Sequence, residues 1–234
     1  FTLNSQITKV YYDKLVTEDF IGIIKIKDSK VEINQLSLNL LKGSLIITGS
    51  YDAADYINPK ADFNLNLTDI DVTSTFEAFN TIQKLAPILE NCIGKISAEI
   101  NFNSQLDAYL MPVMNSINGF GSIKTDNLSI SGNKVFTTLA NLTKQEKFSE
   151  PALKNLNLSF EIIDGNIEIK PTEFMISSTK ASLQGTTNLD QSINYLLGIT
   201  LPQTVAGSLV ENLLNINKEI MVFANIGGTI TDPK

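Results

Sequence analysis

The sequence predicts an α+β protein dominated by β structure. The expected architecture is a long, curved, mostly antiparallel sheet built from two related β units, with three or four helices packed on one face. Three observations carry that prediction. Apolar and polar residues alternate along several stretches, the signature of strands with one wet and one dry face. Helical spacing of apolar residues is confined to a few short segments. A block near the N-terminus also recurs, without a gap, 136 positions later.

That recurrence pairs Asp28-Ser-Lys-Val-Glu-Ile-Asn34 with Asp164-Gly-Asn-Ile-Glu-Ile-Lys170. The same shift carries Val31 to Ile167, Ile33 to Ile169, Leu38 to Phe174, Ile47 to Leu183 and Gly49 to Gly185. Because the shift is even, each side chain keeps its face of a sheet. The first copy spans about 15–107 and the second about 152–232, with about 108–148 inserted between them. No low-complexity linker separates the copies, so 1–234 reads as one domain. Repeated β units build long surfaces or grooves in preference to compact catalytic pockets.

Taken in order, Asp28-Ser29 marks a hairpin turn, and 50–60 is a loop broken by Asp52, Asp55, Asn58 and Pro59. Ala61, Phe63, Leu65 and Leu67 then alternate with Asp62, Asn64, Asn66 and Thr68. A helix is expected over 74–91, with the stripe Phe76, Phe79, Ile82, Leu85 and Leu89; Thr73 or Asp71 caps it and Pro87 kinks it. Ile96, Ala98, Ile100 and Phe102 form the next dry strand face. A short helix over 111–117, a strand over 119–131 and a helix over 133–147 fill the insert.

The second copy opens with Leu156, Leu158, Phe160 and Ile162 on one face, and turns at Asp164-Gly165, a strong two-residue hairpin signal. Residues 188–192 stand in the place of the first copy's loop, and a helix is expected over 205–216. The tail from Asn225 to Asp232 mirrors Asn101 to Asp107. A one-residue slip in any of these strands would carry four apolar side chains into water, at about 1.5–3 kcal/mol each, so register is well specified.

Composition narrows the function. The 234 residues are 43% hydrophobic and 18% charged, as in a globular chain. There is no His, and all 18 basic residues are Lys. The commonest general base near neutral pH is therefore missing, as is the planar fork that grips phosphate. A net charge of −7 argues against nucleic acid and against an anionic membrane surface. Cys92 is the single cysteine and reads as a small buried apolar residue.

No motif demands a cofactor, a metal or catalytic residues. Gly119-Phe-Gly121 lacks the third glycine of a dinucleotide loop and reads as a flexible start to a strand. Gly227-Gly228 marks a bulge or close approach in the last strand. Asp69 and Asp71 precede a helix, where Asp caps free amides, and Asp52 and Asp55 serve turns.

Several blocks resemble the AsmA-like C-terminal region. They are Gly43 to Asp52, Ala61 to Asp71, Phe79 to Pro87, Met111-Pro-Val-Met, Asn118 to Ser122, and Gly227-Gly-Thr-Ile-Thr-Asp-Pro233. Their order covers nearly the whole chain. The resemblance implies a periplasmic protein of a Gram-negative envelope, tethered to the inner membrane, involved in outer-membrane biogenesis and, in longer relatives, in moving phospholipid along an apolar β groove. It implies no catalytic residues. A membrane tether is expected outside this fragment, which opens on Phe1.

The expected function is thus a non-enzymatic module whose apolar groove handles phospholipid or acyl chains, with other envelope proteins as partners. The residues expected to contact lipid are Phe63, Leu65, Leu67, Ile96, Ile100, Phe102, Leu158 and Phe160. The alternative is a purely structural β scaffold or protein-interaction module, in which the helices cover the dry face completely.

Overall fold

A computed structural model describes residues 1–12, 15–79, 83, 87–202 and 219–234. It shows one open, curved, antiparallel sheet of twelve strands, in which every strand pairs with its neighbour in the chain. The strands are β1 (Thr2–Tyr12), β2 (Leu15–Lys27), β3 (Lys30–Leu40), β4 (Gly43–Asp52), β5 (Lys60–Asp71) and β6 (Cys92–Gln105). They continue as β7 (Asn118–Ile130), β8 (Ala152–Ile163), β9 (Asn166–Ile176), β10 (Thr179–Thr187), β11 (Ile193–Pro202) and β12 (Glu219–Ile226). Two α-helices occur among the described residues, α1 (Val72–Ala78) and α2 (Lys134–Thr143).

An uninterrupted meander sorts its connections by end. Both α-helices, and the short 3-10 turns Pro87–Asn91 and Glu146–Phe148, join strands at one end. The turns at 28–29 and 164–165, and the loops 53–59, 106–117 and 188–192, lie at the other. The fully buried core sits at the helical end, on the apolar side of the sheet. Val72, Phe136, Ala140 and Phe148 from the helical connections pack there with Cys92, Leu128, Ile130, Phe174, Ile176, Ala181, Leu197, Ile199 and Leu201 from the strands. Every strand in that cluster belongs to β6–β12. No described helix is long and apolar enough to cross a membrane.

The helices are shorter than the apolar periodicity predicts. Within the helix expected over 74–91, α1 starts two residues earlier and stops at Ala78, where Phe79 turns extended at φ −120°; Gln83 is helical again, and 80–82 and 84–86, with Ile82 and Leu85, lie outside the described residues. Pro87 then opens a separate 3-10 turn, Pro87–Asn91, because proline cannot continue an α-helical ladder. The helix expected over 133–147 is cut at Lys144, which adopts the left-handed conformation at φ 52°. The one expected over 111–117 is a single 3-10 turn, Met114–Ser116. The helix expected over 205–216 lies outside the described residues.

Two aspartates expected to share one role divide it. Asp71 is the N-cap of α1, accepting from the Ser74 backbone N–H at 2.9 Å and from its hydroxyl at 2.6 Å. Asp69 sits instead in a bulge of β5 at φ 54°, its N–H donated to Ser97 Oγ. Register shifts between Leu67 and Ile70, and the extra residue turns Ile70 back to the apolar side, where it is 1% exposed.

The two recurring blocks share their backbone path. Asp28 and Ser29 (φ 51° and 62°) and Asp164 and Gly165 (φ 49° and 78°) each form a two-residue turn with both angles positive, the form that matches strand twist. Gly49 and Gly185 both lie near φ 149°. A methyl group at either would collide with a neighbouring carbonyl, Asp62 or Asn194, and with the facing aromatic ring, Phe63 or Tyr195.

Asp71 yields a test. Partial burial opposes its charge, but the Ser74 bonds and Lys42 outweigh burial and hold its carboxyl below the ordinary value. A depressed folded value means its stabilisation is complete above about pH 4 and lost as pH falls through that folded value. Asp71→Ala is expected to lower unfolding free energy by about 1 kcal/mol at neutral pH, with the gap closing in strong acid. Urea denaturation at the two pH values measures it.

Candidate functional site

Residues directly opposite in an antiparallel pair share a face, so the register list assembles each side of the sheet. One row runs Gly22, Leu36, Ile47, Leu65, Ile100, Gly121, Phe160, Ile169, Gly185, Tyr195 and Ile226, from β2 to β12 without a charged residue. A parallel row runs Leu38, Leu45, Leu67, Ala98, Ile123 and Leu158. At a strand spacing of about 4.8 Å, the longer row follows an arc of roughly 50 Å. The opposite face of the same strands carries Thr48, Asn64, Asn101, Phe120, Glu161 and Glu168 in register.

All eight residues expected to contact lipid lie on the apolar face. Phe63 stands opposite Phe102, with ring centroids 5.9 Å apart and tilted at 45°. Leu65 stands opposite Ile100, Ile96 opposite Ile70, and Leu67 opposite Ala98. Leu158 and Phe160 join them across β7, through Ile123 and Gly121. Seven of the eight are half-buried, while Phe160 is buried. Ile96 packs against the helix-covered core, and the other seven stand outside that cluster.

Gly119-Phe-Gly121 has a role that its spacing alone did not disclose. Gly119 faces Phe102, and Gly121 stands between Ile100 and Phe160. A methyl on Gly121 would come within 2.6 Å of the Phe160 ring. Gly121 makes room for the Phe160 ring, whereas a methyl on Gly119 would strike the Asn101 carbonyl and the Phe102 backbone. Gly227-Gly228 stands beyond β12, not within it, and shapes the tail that bridges Gly228 to Pro233.

Sequence reasoning used β3 and β4 for the recurrence but did not count their residues among the lipid contacts. Leu36, Leu38, Leu45 and Ile47 extend the same apolar surface, half-buried and with no helical cluster residue from those strands above them. The signal was present as the alternation Leu36, Leu38, Leu40. Further toward the N-terminal edge, Leu3, Ile7 and Ile26 on this side are 42–44% exposed.

Polar chemistry gathers elsewhere. A cleft of about 750 Å³ at the loop end is lined by Asp52, Lys60, Asp62, Asn103, Asn118, Asp164 and their neighbours. The Asp52 carboxylate serves its own turn, accepting from the Ala54 N–H at 2.9 Å, and the Asp164 backbone N–H donates to Asn118 Oδ1 at 3.0 Å. Among the described residues, no group of three or more Cys, Asp or Glu is placed to hold a metal ion.

Comparison with protein-family models, with curated proteins and with solved structures found no match.

Cys92 is buried in the helical-end core at 1% exposure, and desolvation pushes its thiol up to about 11. Against the ordinary thiol value, that leaves roughly a hundredfold less thiolate at pH 8. Reaction with a chromogenic disulfide at pH 8 is expected to be at least that much slower in the folded chain than in denaturant.

Proposed function

We propose that this chain is a non-enzymatic, AsmA-like module of a Gram-negative envelope that takes up acyl chains of phospholipid along the apolar face of its sheet. The observation that supports this most is the charge-free row from Gly22 to Ile226, which among the described residues runs outside the buried cluster of the helical end except where Ile226 packs against it. A contiguous apolar surface of this length signals a partner or ligand. An acyl chain of about 16 methylenes crossing water bare would cost about 13 kcal/mol, at ~0.8 kcal/mol per methylene. A dry lining removes most of that barrier without an acid, a base or a metal. The AsmA-like resemblance supplies the cellular setting: a periplasmic position, a tether to the inner membrane and a part in outer-membrane biogenesis.

We also infer that β2–β6 and β8–β12 descend from one five-strand unit. Supporting this are the shared positive-φ turns, the paired glycines near φ 149° with an aromatic residue opposite each, and the register that sets Asn101 and Asn225 at equivalent places. Gly49→Ala and Gly185→Ala are expected to destabilise the chain by similar amounts, about 1–3 kcal/mol each. Strongly unequal losses in chemical denaturation would count against the duplication.

For the groove, titration with a fluorescent fatty acid is the direct measurement. The wild type is expected to bind, and Leu65→Asp with Ile100→Asp to weaken binding at least tenfold while circular dichroism stays unchanged, since a carboxylate in the lining must be desolvated by the bound chain. Native mass spectrometry after gentle extraction is expected to show bound lipid. A lipid-free spectrum together with no uptake would overturn this reading in favour of a structural scaffold.

A further inference from the structure

We propose that the loop end of the sheet docks on a zwitterionic lipid bilayer, so that the groove opens onto the membrane. This rests on the groove reading for its purpose, but not for its observations. Loop 53–59 presents Tyr56 and Ile57, and loop 106–117 presents Tyr109, Leu110, Met111 and Met114. These six side chains are 50–86% exposed. Tyrosine beside aliphatic residues is the composition that settles at the headgroup boundary of a bilayer.

The two loops are held together at the same end of the sheet. The Leu106 N–H donates to the Pro59 carbonyl at 2.8 Å, joining one loop to the base of the other. In each, an aspartate folds into the turn behind the apolar tip. Asp55 accepts from the Ile57 N–H at 3.0 Å, and Asp107 accepts from Tyr109 and Met111 at 2.8 and 2.9 Å. Leu110 is held at φ 62°, a conformation unfavourable for a branched side chain, while remaining 59% exposed. The fold thus spends backbone strain to hold an oily side chain in water.

Charge selects the surface. The tips carry Asp55 and Asp107 and no Lys, on a chain of net charge −7. Anionic lipid would repel them, whereas a zwitterionic surface leaves burial of the apolar tips as the driving force. The docking surface also adjoins the groove: at this end of the apolar face Ala61 and Ser104 are buried, Ser104 against Ser116 of loop 106–117, while Gly119 beside them is half-buried.

The test is flotation of the chain with phosphatidylcholine vesicles. The wild type is expected to float. Tyr56→Ser, Ile57→Ser, Tyr109→Ser and Leu110→Ser combined are expected to lower partitioning at least tenfold, with fatty-acid uptake from solution and the thermal melt unchanged. A control carrying Tyr11→Ser and Ile93→Ser, exposed at the helical end, is expected to float within twofold of wild type. Replacing part of the phosphatidylcholine with phosphatidylserine is expected to weaken binding. A wild type that stays unbound, a four-fold variant that floats equally well, or stronger binding to phosphatidylserine would overturn the docking, the last pointing to charge attraction. Loss of uptake with flotation intact would instead overturn the groove alone.

Discussion

Parity of side chains across eleven consecutive antiparallel pairings is the constraint on which the structure depends. Each strand alternates its faces, so each pairing must match apolar with apolar or the dry face breaks. Bulges threaten this, because one extra residue reverses every side chain beyond it. The chain places them where the reversal is put to use. In β5 the bulge at Asp69 follows Leu67 and restores Ile70 to the apolar side. The β6–β7 register shifts between Gly94 and Ser97, so that Leu128 and Ile130 reach the same side as Ile123. Asp19 and Asn155 hold the corresponding left-handed positions in β2 and β8. Asp and Asn tolerate that conformation better than other side chains.

The helical connections gather at one end of the meander, and the contiguous buried core lies beneath them. This separates the two tasks of an apolar surface. At the helical end, Ile130, Ile176, Ile199 and Leu201 are 0–3% exposed, and their burial contributes to holding the sheet. Toward the loop end, Phe63, Leu65, Ile100 and Phe102 remain half-buried, shielded by neighbours on the same curved face instead of by a second layer. Partial hydration of such side chains leaves free energy to be gained when something apolar settles on them. The dry end stabilises the fold, and the half-dry end retains capacity to bind.

Much of this was legible in local pattern. The alternation from Ala61 to Leu67 and from Ile96 to Phe102 identified the strands and their dry faces, and Asp164-Gly165 identified the tightest turn, because each depends on interactions within a few residues. The described helices are shorter than expected because apolar spacing does not mark where a helix stops: Phe79 continues the helical stripe of Phe76 yet turns extended. The role of Asp69 was hidden because capping and bulge formation both favour Asp before an apolar residue. Gly119 and Gly121 were explained only by residues far away in sequence: the backbone of Asn101 and Phe102 beside Gly119, and the Phe160 ring beside Gly121. Turns such as Leu41-Lys42, with φ of 50° and 62°, defy local preference altogether and are set by the strands they join.

The polar face differs from the apolar one in how its charges are arranged. Glu161 and Glu168 stand directly opposite, an arrangement that repels. Lys170 bridges both, at 2.8 and 3.2 Å, and these contacts hold its ammonium above the ordinary value. Exposed pairs of this kind add little stability. Their effect is to keep a broad, flat surface hydrated, since a second sheet stacking there would have to strip water from Glu161, Glu168 and Lys170 together. Around these three residues the charged face therefore disfavours an apolar partner, although Ile46 and Phe120 on the same face stay exposed. The apolar face is buried at the helical end and half-buried toward the loops.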